Sequence, residues 1–165
     1  MLKKIISGGQ TGTDVAALMA AEDVGYETGG YMPKGFLTQV GPKPEWGQRW
    51  NMTEHTSSKY PPRTYANVKE SDGTLRIAYD FDSSGEIMTL QAIKKYKKPH
   101  MDVDLNHPRP IGEVVSWLKR FSIVTLNVAG NSERTYGGIC GDVVEYMSAV
   151  LLEYNKTSKQ ASDNE

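Results

Sequence analysis

A chain of 165 residues is the size of one domain and can bury a real core. It is 38% hydrophobic and 24% charged with a net charge of −1, a globular composition that argues against a non-specific nucleic-acid binder. No apolar run approaches the ~20 residues that span a membrane, no signal-peptide pattern follows Lys3-Lys4, and the lone Cys140 builds no disulfide framework, so a cytoplasmic location is expected.

The chain opens on a short apolar strand, Lys3-Lys4-Ile5-Ile6, a turn, Ser7-Gly8-Gly9-Gln10-Thr11-Gly12-Thr13-Asp14, and a helix from Val15. Thr13 or Thr11 is the expected N-cap. N–H groups at a helix start lack intrahelical partners and the dipole favours negative charge there, so a strand–glycine turn–helix unit is a ready phosphate site. The spacing is neither that of a Walker loop nor the dinucleotide fingerprint. Tyr26 to Met32 reads as a glycine-weakened strand. Residues 36–62 form a long stretch rich in Pro, Gly and Trp, whose Trp46, Trp50 and Tyr60 argue for an ordered excursion with a helical turn near 52–57. It would cover a pocket or form a subunit contact.

A helix starting at Pro61-Pro62, a strand over 74–79 and a polar loop, Asp80-Phe81-Asp82-Ser83-Ser84-Gly85, come next. The helix after that loop is expected to bury Ile87, Leu90 and Ile93. A strand over 100–105, a helix with Ile111, Val114, Val115, Leu118 and Phe121 on one face, and a strand over 123–128 precede a third loop, Ala129 to Gly138. A last helix carries Ile139, Val143, Met147 and Leu151, and residues 155–165 read as a frayed polar tail after a single domain over 1–154. The alternation predicts an α/β, Rossmann-like fold: a mostly parallel central sheet with helices on both faces. Three glycine and hydroxyl loops then converge at its carboxyl edge, where open α/β sheets bind ligands.

Single residues admit rival readings. Arg63 and Arg134 match phosphate bidentately, or are surface cations. Cys140 is a thiolate at a helix start or a small apolar residue. Asp102 and Asp104 share a strand face and hold hydrated Mg²⁺ or the strand end. Trp46 and Trp50 stack on a flat ring or pack the excursion. His55, His100 and His107 lack metal-ligand spacing, so no catalytic metal is expected.

Five stretches together resemble a known family: Ile5 to Asp14, Gly29-Gly30-Tyr31-Met32-Pro33-Lys34-Gly35, Arg63-Thr64-Tyr65-Ala66-Asn67-Val68, Ser71-Asp72-Gly73-Thr74-Leu75 and Leu126-Asn127-Val128-Ala129-Gly130. They look like the "putative molybdenum carrier" family, the circularly permuted YpsA-like branch of the SLOG superfamily, related to the LOG phosphoribohydrolases. The resemblance covers roughly residues 2 to 152. It implies a homo-oligomer (dimer or tetramer) that binds a small phosphate-bearing ligand, a molybdenum cofactor-type pterin or a nucleotide derivative; charge and hydropathy argue for no nucleic-acid or membrane partner. Two rivals are sequestration of a cyclic ADP-ribose-type signal, as in antiphage defence, and LOG-like hydrolysis of nucleoside monophosphates.

On this reading Gly8, Gly9, Gln10, Thr11, Gly12 and Thr13 are the main phosphate cradle, with Asp14 beside them. Gly130, Asn131, Ser132 and Arg134 are the second wall, and Lys34, Arg63, Asn127 and Gly138 complete the binding set. Ser83, Ser84, Gly85, Glu86 and Thr89 form the remaining loop, where the chain departs from the family. Glu86 stands where threonine is expected, and Thr89 stands where the hydrolases carry their glutamate. A carboxylate there competes with phosphate for the same N–H groups, which turns this loop toward a hydroxyl or a base. Glu86 is catalytic only on the hydrolase reading, and the expectation is binding without turnover.

Overall fold

Every residue from Ile5 to Leu18 is buried, which fixes the opening strand and helix at the centre of the molecule. In the computed structural model, which describes residues 1–164, strand β1 (Lys4–Ile6) lies between β2 (Glu27–Gly29) and β9 (Thr125–Gly130). β7 (Gly73–Ala78) pairs with β9, and β8 (His100–Asp104) closes the far edge. The sheet order is β2-β1-β9-β7-β8, and every pairing in it is parallel. The expected Rossmann-like α/β architecture is therefore observed.

Parallel strands bury both faces, and here the two faces differ in chemistry. Ile5, Leu75, Ile77, Val103, Leu126 and Val128 belong to the main core with α1 (Thr13–Val24), α5 (Ile111–Arg120) and α6 (Ile139–Ser162). On the other side lie α3 (Tyr60–Glu70) and α4 (Ser84–Tyr96), packed on each other through the small cluster of Val68, Ala92 and Ile93. The sheet residues facing that side include Thr74, Arg76 and Asn127, all buried. Asn127 Nδ2 donates to Thr74 Oγ1 at 3.2 Å, and Arg76 reaches across to β8 and α4.

Several sequence expectations are corrected. The strand read over 26–32 is split: Gly30, at φ +120°, brings the backbone so close to Ser7 that a Cβ would lie 2.2 Å from its carbonyl oxygen. Beyond Gly30 the chain forms β3 (Tyr31–Met32), paired not with the main sheet but with β6 (Thr53–Glu54). The helical turn expected near 52–57 lies earlier, as α2 (Pro44–Arg49), because Pro44 supplies a favourable helix start. Leu37–Thr38 and Gly41–Pro42 form the hairpin β4–β5. α4 buries Glu86, Thr89, Ala92 and Ile93 and leaves Ile87 49% exposed, so its inward face is one step off the purely apolar periodicity. α5 buries Trp117 and leaves Phe121 exposed at its C-cap. α6 runs to Ser162, so residues 155–162 are helical rather than frayed, anchored by Tyr26 Oη on Asn155 and by Lys119 Nζ on Thr157. Only the last residue of that tail, 165, lies outside the described residues.

The excursion is ordered through Trp50. Its side chain is 2% exposed and packs with Val15, Leu18, Met32 and Met52 in a second core cluster against α1. Trp50→Ala should cost about 3–5 kcal/mol in chemical denaturation and open residues 36–62 to limited proteolysis. A loss below about 1 kcal/mol would show that this cluster does not hold the segment.

Candidate functional site

The loops after β1, β7 and β9 meet at the carboxyl edge because these three strands are neighbours in the sheet. Two threonine bonds staple them: Thr13 Oγ1 donates to the Ile77 carbonyl at 3.0 Å and Thr13 N–H to the Asn131 carbonyl at 3.0 Å. Asn131 joins the other two loops. Its Oδ1 accepts from the N–H groups of Tyr79 at 2.9 Å and Asp80 at 3.0 Å, while its Nδ2 donates to the Asp80 carbonyl at 2.7 Å.

The glycine turn is filled by the protein itself. Gln10 N–H donates to Asp14 Oδ2 at 3.2 Å, and Arg63 Nη1 lies 3.3 Å from the same oxygen. Thr11 N–H is taken by the Gln10 side chain at 2.9 Å. A Cβ on Gly12, at φ +82°, would lie 2.3 Å from the Asn131 carbonyl oxygen, so glycine is what lets the third loop pass here. Gly12 is also the N-cap of α1, and neither Thr11 nor Thr13 caps it by side chain. The start of α6 is closed in the same way. Glu133 accepts from Gly138 N–H and Cys140 N–H, each at 2.7 Å.

The start of α4 is left open. Ser83 Oγ accepts from Glu86 N–H at 3.4 Å, but Ser84 and Gly85 carry N–H groups without intrahelical partners. No atom lies within 4 Å of where a Cβ on Gly85 would sit. These residues line a cavity of about 190 Å³ whose walls include Asp14, Arg63, Glu86, Asn131 and Ser132. Arg63 Nε has no hydrogen-bond partner although it is buried.

Beneath the opening of α4 the Glu86 side chain turns inward, 1% exposed, with Oε2 unpartnered. The nearest cation is Arg76, whose Nη1 is 3.5 Å from Oε2. That guanidinium is already bidentate to Asp102, at 2.7 Å from Nε to Oδ1 and 2.6 Å from Nη2 to Oδ2. Burial pushes Glu86 up to about 8, against the pull of Arg76 and with help from Asp14, Asp102 and Asp80. Burial raises Asp14 as well, opposed by Arg63 and the Gln10 and Gly8 N–H groups. A larger groove of about 560 Å³ lies at the opposite edge, beside Met1, Tyr26 and Tyr154. It gathers neither an open helix start nor a buried unpartnered side chain, so the chemistry points to the smaller cavity.

The model of the circularly permutated YpsA SLOG family matches residues 5–151. The chain belongs to that family. A similar solved structure is a protein of Syntrophus aciditrophicus SB named "Putative molybdenum carrier protein", 35% identical, with a TM-score of 0.78 over 93% of this chain and 94% of that one. A comparison with the curated proteins finds no match.

In this SLOG chain, Gln10, Asp14, Arg63, Ser83, Ser84, Gly85, Glu86, Thr89, Gly130, Asn131 and Ser132 come together around the cavity. Gly8, Gly9, Thr11, Gly12 and Thr13 lie behind it, buried in the turn. Lys34 and Gly138 are exposed elsewhere, and Asn127 is inside the sheet layer. Arg134 is exposed and donates to the Gln39 carbonyl at 3.3 Å. Sequence reasoning missed Gln39, Tyr60, Thr64, Met88, Ala129 and Thr135 on the cavity wall. Gln39 comes from the excursion and Tyr60 from the start of α3, where the excursion ends. Asp102 holds Arg76, and Cys140 is half-buried with its thiol pushed up by burial and Glu133. Among the described residues no three His, Cys, Asp or Glu side chains group to hold a metal ion, and no helix is long and apolar enough to cross a membrane.

A carboxyl held above its ordinary value binds more protons folded than unfolded between the two values. Stability therefore falls as pH rises through that window, here from 4.5 to about 8 for Glu86, with Asp14 acting in the same sense. Glu86→Gln removes the Glu86 share. Its melting temperature should gain on the wild type steadily from about pH 5 to about pH 8; a gap that is constant across the range contradicts the assignment.

Proposed function

We propose that this protein binds and carries, without turning it over, a small phosphate-bearing ligand whose phosphate sits on the first turn of α4. The ligand class is a molybdenum cofactor-type pterin or a nucleotide derivative. One observation carries the reading. Of the three helix starts at the carboxyl edge, α1 gives its first N–H groups to the carbonyls of Asn131, Gln10 and Gly12, α6 is closed by the Glu133 carboxyl, and α4 faces the cavity with its Ser84 and Gly85 N–H groups unengaged. The positive end of α4, the free Ser84 and Gly85 N–H groups and the unpartnered Arg63 Nε are complementary to phosphate. The carrier role draws on the name of the Syntrophus relative.

The cavity size limits what enters. About 190 Å³ is below the roughly 300–1,000 Å³ of pockets that engulf a drug-sized molecule, so it takes one end of the ligand and leaves the rest toward the excursion. The absence of turnover rests on side-chain chemistry. Cleaving an N-glycosidic bond needs a placed carboxylate. Thr89 holds the position that the hydrolases give to glutamate, and its hydroxyl donates to the Gly85 carbonyl at 3.0 Å. Glu86 lies three residues earlier, ~4.5 Å back along the axis, and a misplacement near 1 Å already costs ~100-fold.

Gly85→Val tests the seat. A Cβ at this position meets open space, so stability should change by less than about 1 kcal/mol. The side chain covers the N–H groups, and calorimetric affinity for AMP or inorganic phosphate should drop at least ~10-fold, a loss of about 1.4 kcal/mol. Unchanged affinity would move the site. Incubation with AMP or cyclic ADP-ribose should release no free base above buffer; release abolished by Glu86→Gln would promote the hydrolase reading.

A further inference from the structure

We propose that the cavity takes up a proton together with its oxyanion: neutral Glu86 donates a hydrogen bond to a ligand oxygen seated on the first turn of α4, and ionised Glu86 excludes it. This rests on the reading of the cavity as an oxyanion seat and adds the residue that sets which charge state the seat accepts.

The geometry separates two tasks. The Glu86 backbone closes the first turn of α4 through Ser83 Oγ, while its side chain leaves that turn and enters the cavity wall. It does not cover the Ser84 and Gly85 N–H groups, so ligand and carboxyl are neighbours rather than competitors. Arg76 does not neutralise it in full. That guanidinium gives its two shortest bonds to Asp102, its Nη1 donates to the Glu86 carbonyl at 3.3 Å, and Phe81 covers its face at 5.0 Å.

Charge counting gives the sign. The charged groups that face Glu86 are Arg76 on β7, Asp102 on β8, Asp14 on α1 and Asp80 in the loop after β7. Arg63 on α3 is spent on Asp14. On the cavity wall itself Asp14 and Arg63 cancel, while behind it Arg76 answers Asp102 and Asp80 adds one further negative charge. An ionised Glu86 therefore makes the wall net negative next to the place where an anion must sit, in surroundings that screen poorly. With its proton, Glu86 is a neutral donor. Oε2 lies beside Arg76, which disfavours a proton on that oxygen, so the proton belongs on Oε1. The balance is simple: a fully ionised oxyanion and one proton enter, and no bond to oxygen breaks. Phosphate monoesters, molybdate and sulfate share this chemistry.

Molybdate is the cleanest probe because it does not itself titrate near neutrality. Calorimetry on the wild type should find affinity flat below about pH 7.5 and falling about tenfold per pH unit above the Glu86 value of about 8. Repeating the titration at about pH 9 in buffers of different ionisation enthalpy should show net uptake approaching one proton. Glu86→Gln, neutral at every pH, should lose the slope and the uptake. If that variant does not fold, the buffer comparison on the wild type decides alone. Molybdate affinity that is flat to about pH 9.5 with no proton uptake, while Gly85→Val still weakens binding at least ~10-fold, overturns the role of Glu86 and spares the seat. No binding of molybdate, sulfate or inorganic phosphate at any pH overturns both.

Discussion

The carboxyl edge is organised by one internal contact, the Asp14 carboxyl held by the glycine turn and by Arg63. It gives the buried Gln10 N–H of that turn a partner, which a buried polar backbone demands. It also consumes that N–H. A Cβ on Gly8 would collide with the Arg63 guanidinium, so the turn, the carboxyl and α3 interlock. With the first helix start closed from within and the last closed by Glu133, α4 is the start the proposed reading gives to the ligand.

The polar face of the sheet belongs to the same design. One side of β7 and β9 packs as an ordinary apolar core, while the other carries Thr74, Arg76 and Asn127 beneath α3 and α4. Buried polar groups of this kind are tolerable only when paired. Asn127 finds Thr74, and Arg76 finds Asp102. Glu86 is the member that keeps an unpartnered oxygen, and it is the member on the cavity wall. A structural network that ends in an incomplete polar group next to an open helix start has the form of a site rather than a packing error.

Much of the fold was legible because periodicity and punctuation agreed. The parallel sheet was implied by strands alternating with helices, and Pro61-Pro62 and Lys97-Lys98-Pro99 marked real boundaries. The features that failed depend on tertiary contact. Gly30 splits a strand because Ser7 comes close, and α6 stays helical past Asn155 because Tyr26 and Lys119 hold it, and neither cause is local in sequence. The convergence of three loops was legible too. Which loop is open was not, since Gly12 and Gly85 look alike in a sequence and differ only in what stands beside them. Gln39 and Tyr60 were missed because a chain folding back over the edge leaves no local signal of where it lands.

On the proposed reading the ligand meets α4 and not the glycine turn. Backbone amide chemical shifts recorded by NMR during titration with AMP test it residue by residue. The largest changes are expected at Ser84, Gly85 and Glu86, with smaller ones at Arg63 and Ser132. Largest changes at Gly9 to Thr13, or in the groove beside Met1 and Tyr26, would contradict it.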